Sequence, residues 1–291
     1  MPLPSFLKNL LNDPPPRFAF EISESGIAAA RVAAPPEIGF QPLAPDVISV
    51  SPVHDNVQRM EELTDRVRAL APRGEKGRLG AALILPDHSV RVSVLDFDAF
   101  PSDPKQQLPL VRFRLKKSLP FDIDAGAVSY FPQPNGQRVD VVVAAAPLEI
   151  VARYEMPFRA AGFQPGLVTT STLCALEMVR EAGVAVVAKL GGRSLTLAVL
   201  DHGVLKLLRS IELSEGGPFE IASHLYPTFA YMEDQLGRRP EEVLTCGFGR
   251  SSDDLAAEIG QPCVPLRSRY GLPDQFNAGL LGYLECLEKI Q

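Results

Sequence analysis

Apolar residues in this chain follow two periods that take turns. Between residues 55 and 70, Val57, Met60, Leu63, Val67 and Leu70 recur every three or four positions with charges between them, which predicts a helix with one apolar stripe. Elsewhere, short β-favouring runs stand between turn residues and predict strands. Residues 17–32 read strand, turn, strand, with Ser23-Glu24-Ser25-Gly26 as the turn. Residues 184–190, 194–200 and 204–211 are three more apolar runs, joined by Gly191-Gly192 and by Asp201-His202-Gly203, and predict an antiparallel meander. Residues 79–85 and 89–95 flank Pro86-Asp87-His88 and are expected to pair.

Helices are expected between these runs. Asp103 is placed to cap one whose first turn holds Pro104. Val111, Leu115 and Leu119 form its apolar face, Arg112, Arg114, Lys116 and Lys117 load the other side, and Pro120-Phe121-Asp122 ends it. A buried strand at 139–146 leads into a helix at 148–162 with a kink at Pro157. A short strand at 166–169 precedes a helix capped by Ser171 or Thr172 and ending at Gly183. Gly216-Gly217 opens a long helix with Phe219, Leu225, Phe229 and Met232. A strand at 242–245 and helices at 251–259 and 278–290 follow. Residues 1–12 carry Phe6, Leu7, Leu10 and Leu11 at helical spacing and read as a tail that packs on its own domain, with contact to a membrane surface or a partner as the alternative. Strands and helices alternate in two similar sets, so the class is α/β. Glu21 in the first hairpin falls where Lys189 falls in the second.

Composition narrows the classes of function. With 291 residues, 46% hydrophobic and 22% charged, the chain has room for about two domains with real cores. Its net charge of -6 argues against nucleic acid as the main partner, because phosphate backbones are bound by basic stripes. No run of about 18 apolar residues is present, so no segment is expected to span a membrane. Cys174, Cys246, Cys263 and Cys286 are far apart and His54, His88, His202 and His224 share no ligand or triad spacing, which argues against zinc and triad chemistry. The cysteines read as reduced, semi-buried thiols of a cytoplasmic protein.

The candidate chemistry sits at the glycine turns. Gly191, Gly192 and Ser194 form a hairpin of the kind that can cradle phosphate, and Cys246-Gly247-Phe248-Gly249 adds a second glycine loop. A nucleotide-hydrolysing hairpin needs an acid at the strand end, because magnesium takes oxygen ligands. Lys189 stands there instead, with three donors and no lone pair for a metal. An ammonium would attract phosphate by roughly 4 kcal/mol at a separation of about 4 Å in a partly screened site. Phosphate binding is therefore chemically open, and metal-assisted catalysis is disfavoured.

Several ordered motifs carry a resemblance. Arg112 through Leu119-Pro120-Phe121-Asp122, Tyr130, the strand end at 141–147, Ala161-Gly162-Phe163-Gln164-Pro165, Arg209-Ser210-Ile211 with Gly216-Gly217, and residues 231–235 occur in the order found in one family. The chain resembles the PilM family of type IV pilus assembly proteins, within the actin-like superfamily that includes the cell-division protein FtsA. Members usually show Asp-Ile-Gly at both phosphate hairpins. Here the hairpins read Glu21-Ile22-Ser23 and Lys189-Leu190-Gly191.

The resemblance implies an actin-like, ribonuclease H-like α/β fold of two lobes with a small inserted α+β subdomain. Its divisions would be a tail at 1–16, a first lobe at 17–98 and 163–183, the inserted subdomain at 99–162, and a second lobe at 184–291. It implies ATP with magnesium at Glu21, Ser23, Lys189, Gly191, Gly192, Ser194, Gly247 and Gly249, a site the two departures make degenerate. It also implies a cytoplasmic scaffold, peripheral to the inner membrane through its partners. That scaffold would hold the N-terminal peptide of a PilN-like bitopic membrane protein at Arg112, Leu115, Lys116, Pro120 and Phe121, and would link it to the pilus motor ATPase. Homo-oligomer formation stays open. Two alternatives remain at this level: an ATP-binding or ATP-hydrolysing actin-like enzyme, and a component of a type II secretion platform.

Overall fold

The computed structural model describes residues 15–72, 79–180 and 183–289, so the helix expected in residues 1–12 lies outside it. Chain contacts divide it into two compact units. Of the described residues, the first unit comprises those from 15 to 90, Ala146–Met178 and those from Arg267 to 289, and the second comprises Arg91–Ala145 and those between Val179 and Leu266.

The first unit holds β1 (Phe18–Ile22), β2 (Gly26–Arg31), β3 (Glu37–Pro42), β4 (Leu79–Leu85) and β8 (Phe163–Thr170), in the sheet order β3-β2-β1-β4-β8. β1, β2 and β3 form an antiparallel meander, and β4 and β8 continue the sheet parallel to β1. Strand β1 alternates large and small residues, and a period of two sends them to opposite faces. Phe18, Phe20 and Ile22 enter the core that also holds Leu63 and Val67 of α1 (Met60–Leu70) and Ile150, Tyr154 and Phe158 of α3 (Leu148–Ala160). Ala19 joins the core on the other face, with Cys174 of α4 (Ser171–Ala175) and Leu280, Tyr283 and Leu284 of α7 (Ala278–Glu288).

Close packing on that second face requires glycine. A Cβ on Gly279 would lie 2.7 Å from Ile84 Cγ2, and one on Gly282 would lie 2.0 Å from the Cys174 carbonyl oxygen. The terminal helix, expected in the second lobe, thus packs in the first unit, where these glycines fit it against α4. The expected cap and length of the helix after Ser171 also change. The N-cap is Thr170, and the helix is five residues long before one 3-10 turn at Leu176–Met178. Thr172 donates through its N–H and its hydroxyl to Asp87, both at 2.7 Å.

Helix α1 starts five residues later than the apolar stripe suggested. Val57 N–H donates to Asp55 Oδ1 at 2.9 Å in an Asx turn, and Asn56 is fully buried in a polar network. Its Oδ1 accepts from Ser51 N–H, Ser89 Oγ and Tyr154 Oη, at 3.0, 2.8 and 3.1 Å. Burial pushes the Tyr154 hydroxyl far above its ordinary range, so it remains a neutral donor.

The second unit repeats the sheet plan. Strands β9 (Val184–Gly191), β10 (Ser194–Asp201), β11 (Val204–Glu212), β12 (Val243–Cys246) and β13 (Cys263–Pro265) take the order β11-β10-β9-β12-β13, with β12 parallel to both β9 and β13. The β10–β11 turn has positive φ at both His202 (49°) and Gly203 (80°), as a primed two-residue hairpin turn requires. Helices α5 (Pro218–Leu236) and α6 (Ser251–Ile259) cover one face through Ile221, Leu225, Phe229, Met232 and Leu255.

A three-stranded sheet in the same unit has the order β5-β7-β6, from β5 (Arg91–Phe97), β6 (Gly126–Asn135) and β7 (Arg138–Pro147). The expected pairing of β4 with β5 therefore fails, because β5 pairs antiparallel with β7 and β4 lies in the first unit's sheet. Strand β4 is a continuous buried run suited to a centre covered on both faces, whereas β5 is mostly part-buried or exposed. Helix α2 (Pro104–Leu115) packs on this small sheet, with Asp103 accepting from Lys105 N–H at 3.0 Å as its cap. It ends at Leu115, one turn short of the expected Leu119.

Side chains fasten the small sheet to strand β11. Gln133 imitates a backbone partner, donating to the Leu205 carbonyl at 3.1 Å and accepting from its N–H at 2.9 Å. Beside it, Lys206 Nζ and Asp140 Oδ2 are 2.8 Å apart, with side chains 8% and 9% exposed. Edge-strand groups at Leu205 are thereby paired, which removes a template for stray strand addition.

Glu220, in the first turn of α5, accepts from the N–H groups of Ser214, Glu215 and Gly216 at 2.8, 2.9 and 2.8 Å. These three donors hold its carboxyl at about 2, below the ordinary 4.5. A depressed value means that the contribution of this cap is complete above the ordinary value and is lost as pH falls from there toward 2. In an NMR titration, the amide shifts of residues 214–216 are expected to move with a midpoint near 2. A midpoint in the ordinary carboxylate range would mean that the cap is not held in solution.

Candidate functional site

Within the second unit, Val186, Ala188 and Leu190 of β9 enter the core covered by α5 and α6, so the alternation turns Lys189 to the opposite face. Lys189 is 2% exposed, and its Nζ lies 3.4 Å from where a Cβ on Gly191 would stand. The ammonium is therefore tucked beside the glycine turn. Gly191 pairs with Ser194 across that turn, and Gly192 takes a φ of 59°.

Register brings the second glycine loop alongside. β12 runs parallel to β9 with Cys246 opposite Lys189, so Gly247 and Gly249 leave the sheet next to the β9 turn. Both loop glycines have positive φ, 81° and 53°, while Phe248 between them is buried. Lys189, Gly191, Gly192, Ser194, Gly247 and Gly249 thus gather at the carboxyl ends of two parallel strands, where open α/β sheets characteristically bind ligands. Backbone N–H groups and one ammonium can attract an anion there. They offer no acid to a metal.

Glu21 and Ser23 belong to the first unit. Glu21 is 2% exposed, and the β1 alternation places it on the α7 face. One carboxylate oxygen accepts from Ser171 Oγ, and the other accepts from Leu280 N–H at 2.8 Å. Leu280 is the third residue of α7, and the helix's own N-cap residue, Asn277, makes no side-chain cap bond. Glu21 therefore supplies the missing cap, at the positive end of the helix dipole. Ser23 is equally engaged. Its hydroxyl donates to the Gly26 carbonyl at 2.9 Å and accepts from Gly26 N–H at 3.1 Å, closing the β1–β2 turn.

The fit to magnesium fails on this geometry. At the end of β9 stands a lysine, and at the end of β1 both oxygens of Glu21 already accept protein hydrogen bonds. Among the described residues no group of three or more His, Cys, Asp and Glu side chains could hold a metal ion. The buried Cys174 thiol adds no chemistry, because burial, then the nearby Glu21 charge, pushes it well above the ordinary thiol range.

Helix α2 arranges its residues differently from the expected docking surface. Leu115 is 1% exposed and belongs to the small sheet's core with Val111, which corrects its expected place on a partner surface. Arg112 donates to the carbonyls of Ile123 and Gly126 at 2.7 and 3.2 Å and so ties the helix to the next segment. Arg114 lies 5.0 Å over the Phe97 ring and 3.7 Å from Asp96. Lys116 is exposed, 3.7 Å from Asp124, Pro120 is exposed, and Phe121 is partly buried against the small core.

Sequence reasoning passed over Phe113, which is 76% exposed. The signal was present in the spacing. Phe113 lies two positions from both Val111 and Leu115, about 200° around the helix from their stripe.

No protein-family model and no curated protein matches the chain. Solved structures do. A PilM–PilN type IV pilus biogenesis complex is 18% identical, with a TM-score of 0.75 over 94% of this chain and 99% of the matched one. A Bacteroides thetaiotaomicron protein with an actin-like ATPase fold and unknown function is 10% identical, with a TM-score of 0.52 over 91% of this chain and 94% of its own. These likenesses establish the fold as the actin-like α/β architecture. Among the described residues no helix is long and apolar enough to cross a membrane.

Proposed function

We propose that this chain is a PilM-type cytoplasmic scaffold of a pilus or related secretion platform. It binds the N-terminal peptide of a PilN-like bitopic inner-membrane protein, links that protein to the motor ATPase, and does not turn over nucleotide. The observation that carries this reading is the pair of altered hairpin positions on an actin-like fold, with Glu21 acting as the cap of α7 and Lys189 lying beside the Gly191 turn. The likeness to a PilM–PilN complex over nearly the whole chain supports the choice of partner. With Leu115 buried and Arg112 bound to backbone, the peptide surface reduces to Lys116, Pro120, Phe121 and their surroundings.

Titration of a synthetic peptide from the N-terminus of the partner tests this reading by calorimetry. Saturable binding at about ten micromolar, near 7 kcal/mol of binding free energy, is the expected result. Absence of heat at hundreds of micromolar would count decisively against it.

A second reading is favoured by one observation, the adjacent glycine turns at the carboxyl ends of β9 and β12. In that reading the chain retains a nucleotide without hydrolysing it. A thermal-shift titration with ATP separates the two, because ligand at a hundredfold over its dissociation constant stabilises by about 2.7 kcal/mol. The scaffold reading expects no shift, with or without magnesium.

A further inference from the structure

We propose that the exposed face of α2 docks directly onto an anionic lipid surface, with Phe113 as the apolar anchor. This contact centres on Phe113 and adjoins the peptide surface proposed above, with which it shares Lys116. Lys105, Pro109 and Phe113 lie four residues apart on the solvent side of the helix, and Lys116 and Lys117 follow at its end; all five are exposed. Spacing of four keeps successive residues on one face.

Two observations make this face unusual in its own protein. The chain carries a net charge of -6, yet from Pro104 through Leu119 it has Lys105, Arg112, Arg114, Lys116 and Lys117 and no acidic residue. Arg112 is bound to backbone carbonyls and Arg114 lies over the Phe97 ring, while the lysines face solvent, Lys116 at 3.7 Å from Asp124. Phe113 is 76% exposed among them, although its helix has a core face ready to accept apolar residues. An exposed aromatic ring with lysines before and after it on one side of a helix matches the anatomy of interfacial helices: apolar side chains enter the headgroup boundary while cations meet anionic lipid. Charge complementarity selects anionic lipid over neutral lipid.

The test is co-sedimentation of the full chain with vesicles of phosphatidylcholine, with and without phosphatidylglycerol. Binding is expected only with phosphatidylglycerol and is expected to disappear at about 0.5 M salt, where screening shortens to a few ångströms. Phe113→Ser and the pair Lys105→Glu/Lys117→Glu should each weaken partitioning at least about tenfold. Both variants alter exposed side chains, so an unchanged melting temperature should accompany the loss. Failure of the wild type to sediment with anionic vesicles overturns the inference, as does binding that ignores lipid charge or survives both variants. Because the peptide is titrated without lipid, failure of the scaffold reading shows there and leaves the vesicle result to stand by itself.

Discussion

Replacing Gly282 with alanine is expected to destabilise the first unit by roughly 3 kcal/mol, near the upper end of overpacking effects. Local propensity argues the other way, since alanine inside a helix is favoured over glycine by about 1 kcal/mol. Tertiary contact decides the sign. The added Cβ would lie 2.0 Å from the Cys174 carbonyl oxygen, 2.5 Å from its carbon and 2.9 Å from Ala175 Cα. All three are backbone atoms, so relief requires α7 to move away from α4. That movement would open the layer formed by Cys174, Leu280, Tyr283 and Leu284. For a protein of this size the melting temperature should fall by about 5 °C. Gly166→Ala is the matched control, because nothing lies within 4 Å of its added Cβ and its backbone is ordinary; its effect should stay within about 0.5 kcal/mol. A Gly282→Ala variant that melts with the wild type would show that the two helices do not meet at this contact.

The same contact marks where sequence reasoning stops. Features written in neighbouring residues were legible: the Asp103 cap, the glycine turns of the meander, and the strand–turn–strand opening. The repeat of the hairpin was legible too, and the two sheets now share one strand order. Long-range choices were not. Residues 79–85 and 89–97 look like one hairpin, yet the chain passes from one unit to the other between Val90 and Arg91. Nothing local distinguishes a strand that turns back from one that crosses over. The placement of α7 depends on glycine contacts with residues more than a hundred positions away. For the candidate site, the glycines and Lys189 were found because phosphate chemistry has a local signature. The spacing already put Leu115 on the apolar face of α2, and only the resemblance moved it to a partner surface; the bonds of Arg112 to Ile123 and Gly126 were missed because they depend on how the following segment folds back.

Glu21→Ala is expected to cost about 3 kcal/mol and to leave phosphate release where it was, at background. The carboxylate accepts from Leu280 N–H and Ser171 Oγ in a site 2% exposed. Hydrogen bonds to a charged group contribute about 1.5–3 kcal/mol each, and removal of the acceptor leaves two buried donors without their partner. The α7 amide then faces the interior with no substitute cap, because Asn277 supplies none. Glu21→Gln separates charge from shape. It keeps a carbonyl acceptor for one donor but cannot accept well from both, so an intermediate loss near 1.5 kcal/mol is expected. A double-mutant cycle with Ser171→Ala should give a coupling on the order of 1 kcal/mol, since the two side chains touch. If Glu21 instead held a metal-bound water, its removal would abolish a measurable phosphate release and leave the melting temperature almost unchanged. That pattern, read from one variant with two assays, would return the chain to the class of nucleotide-hydrolysing enzymes.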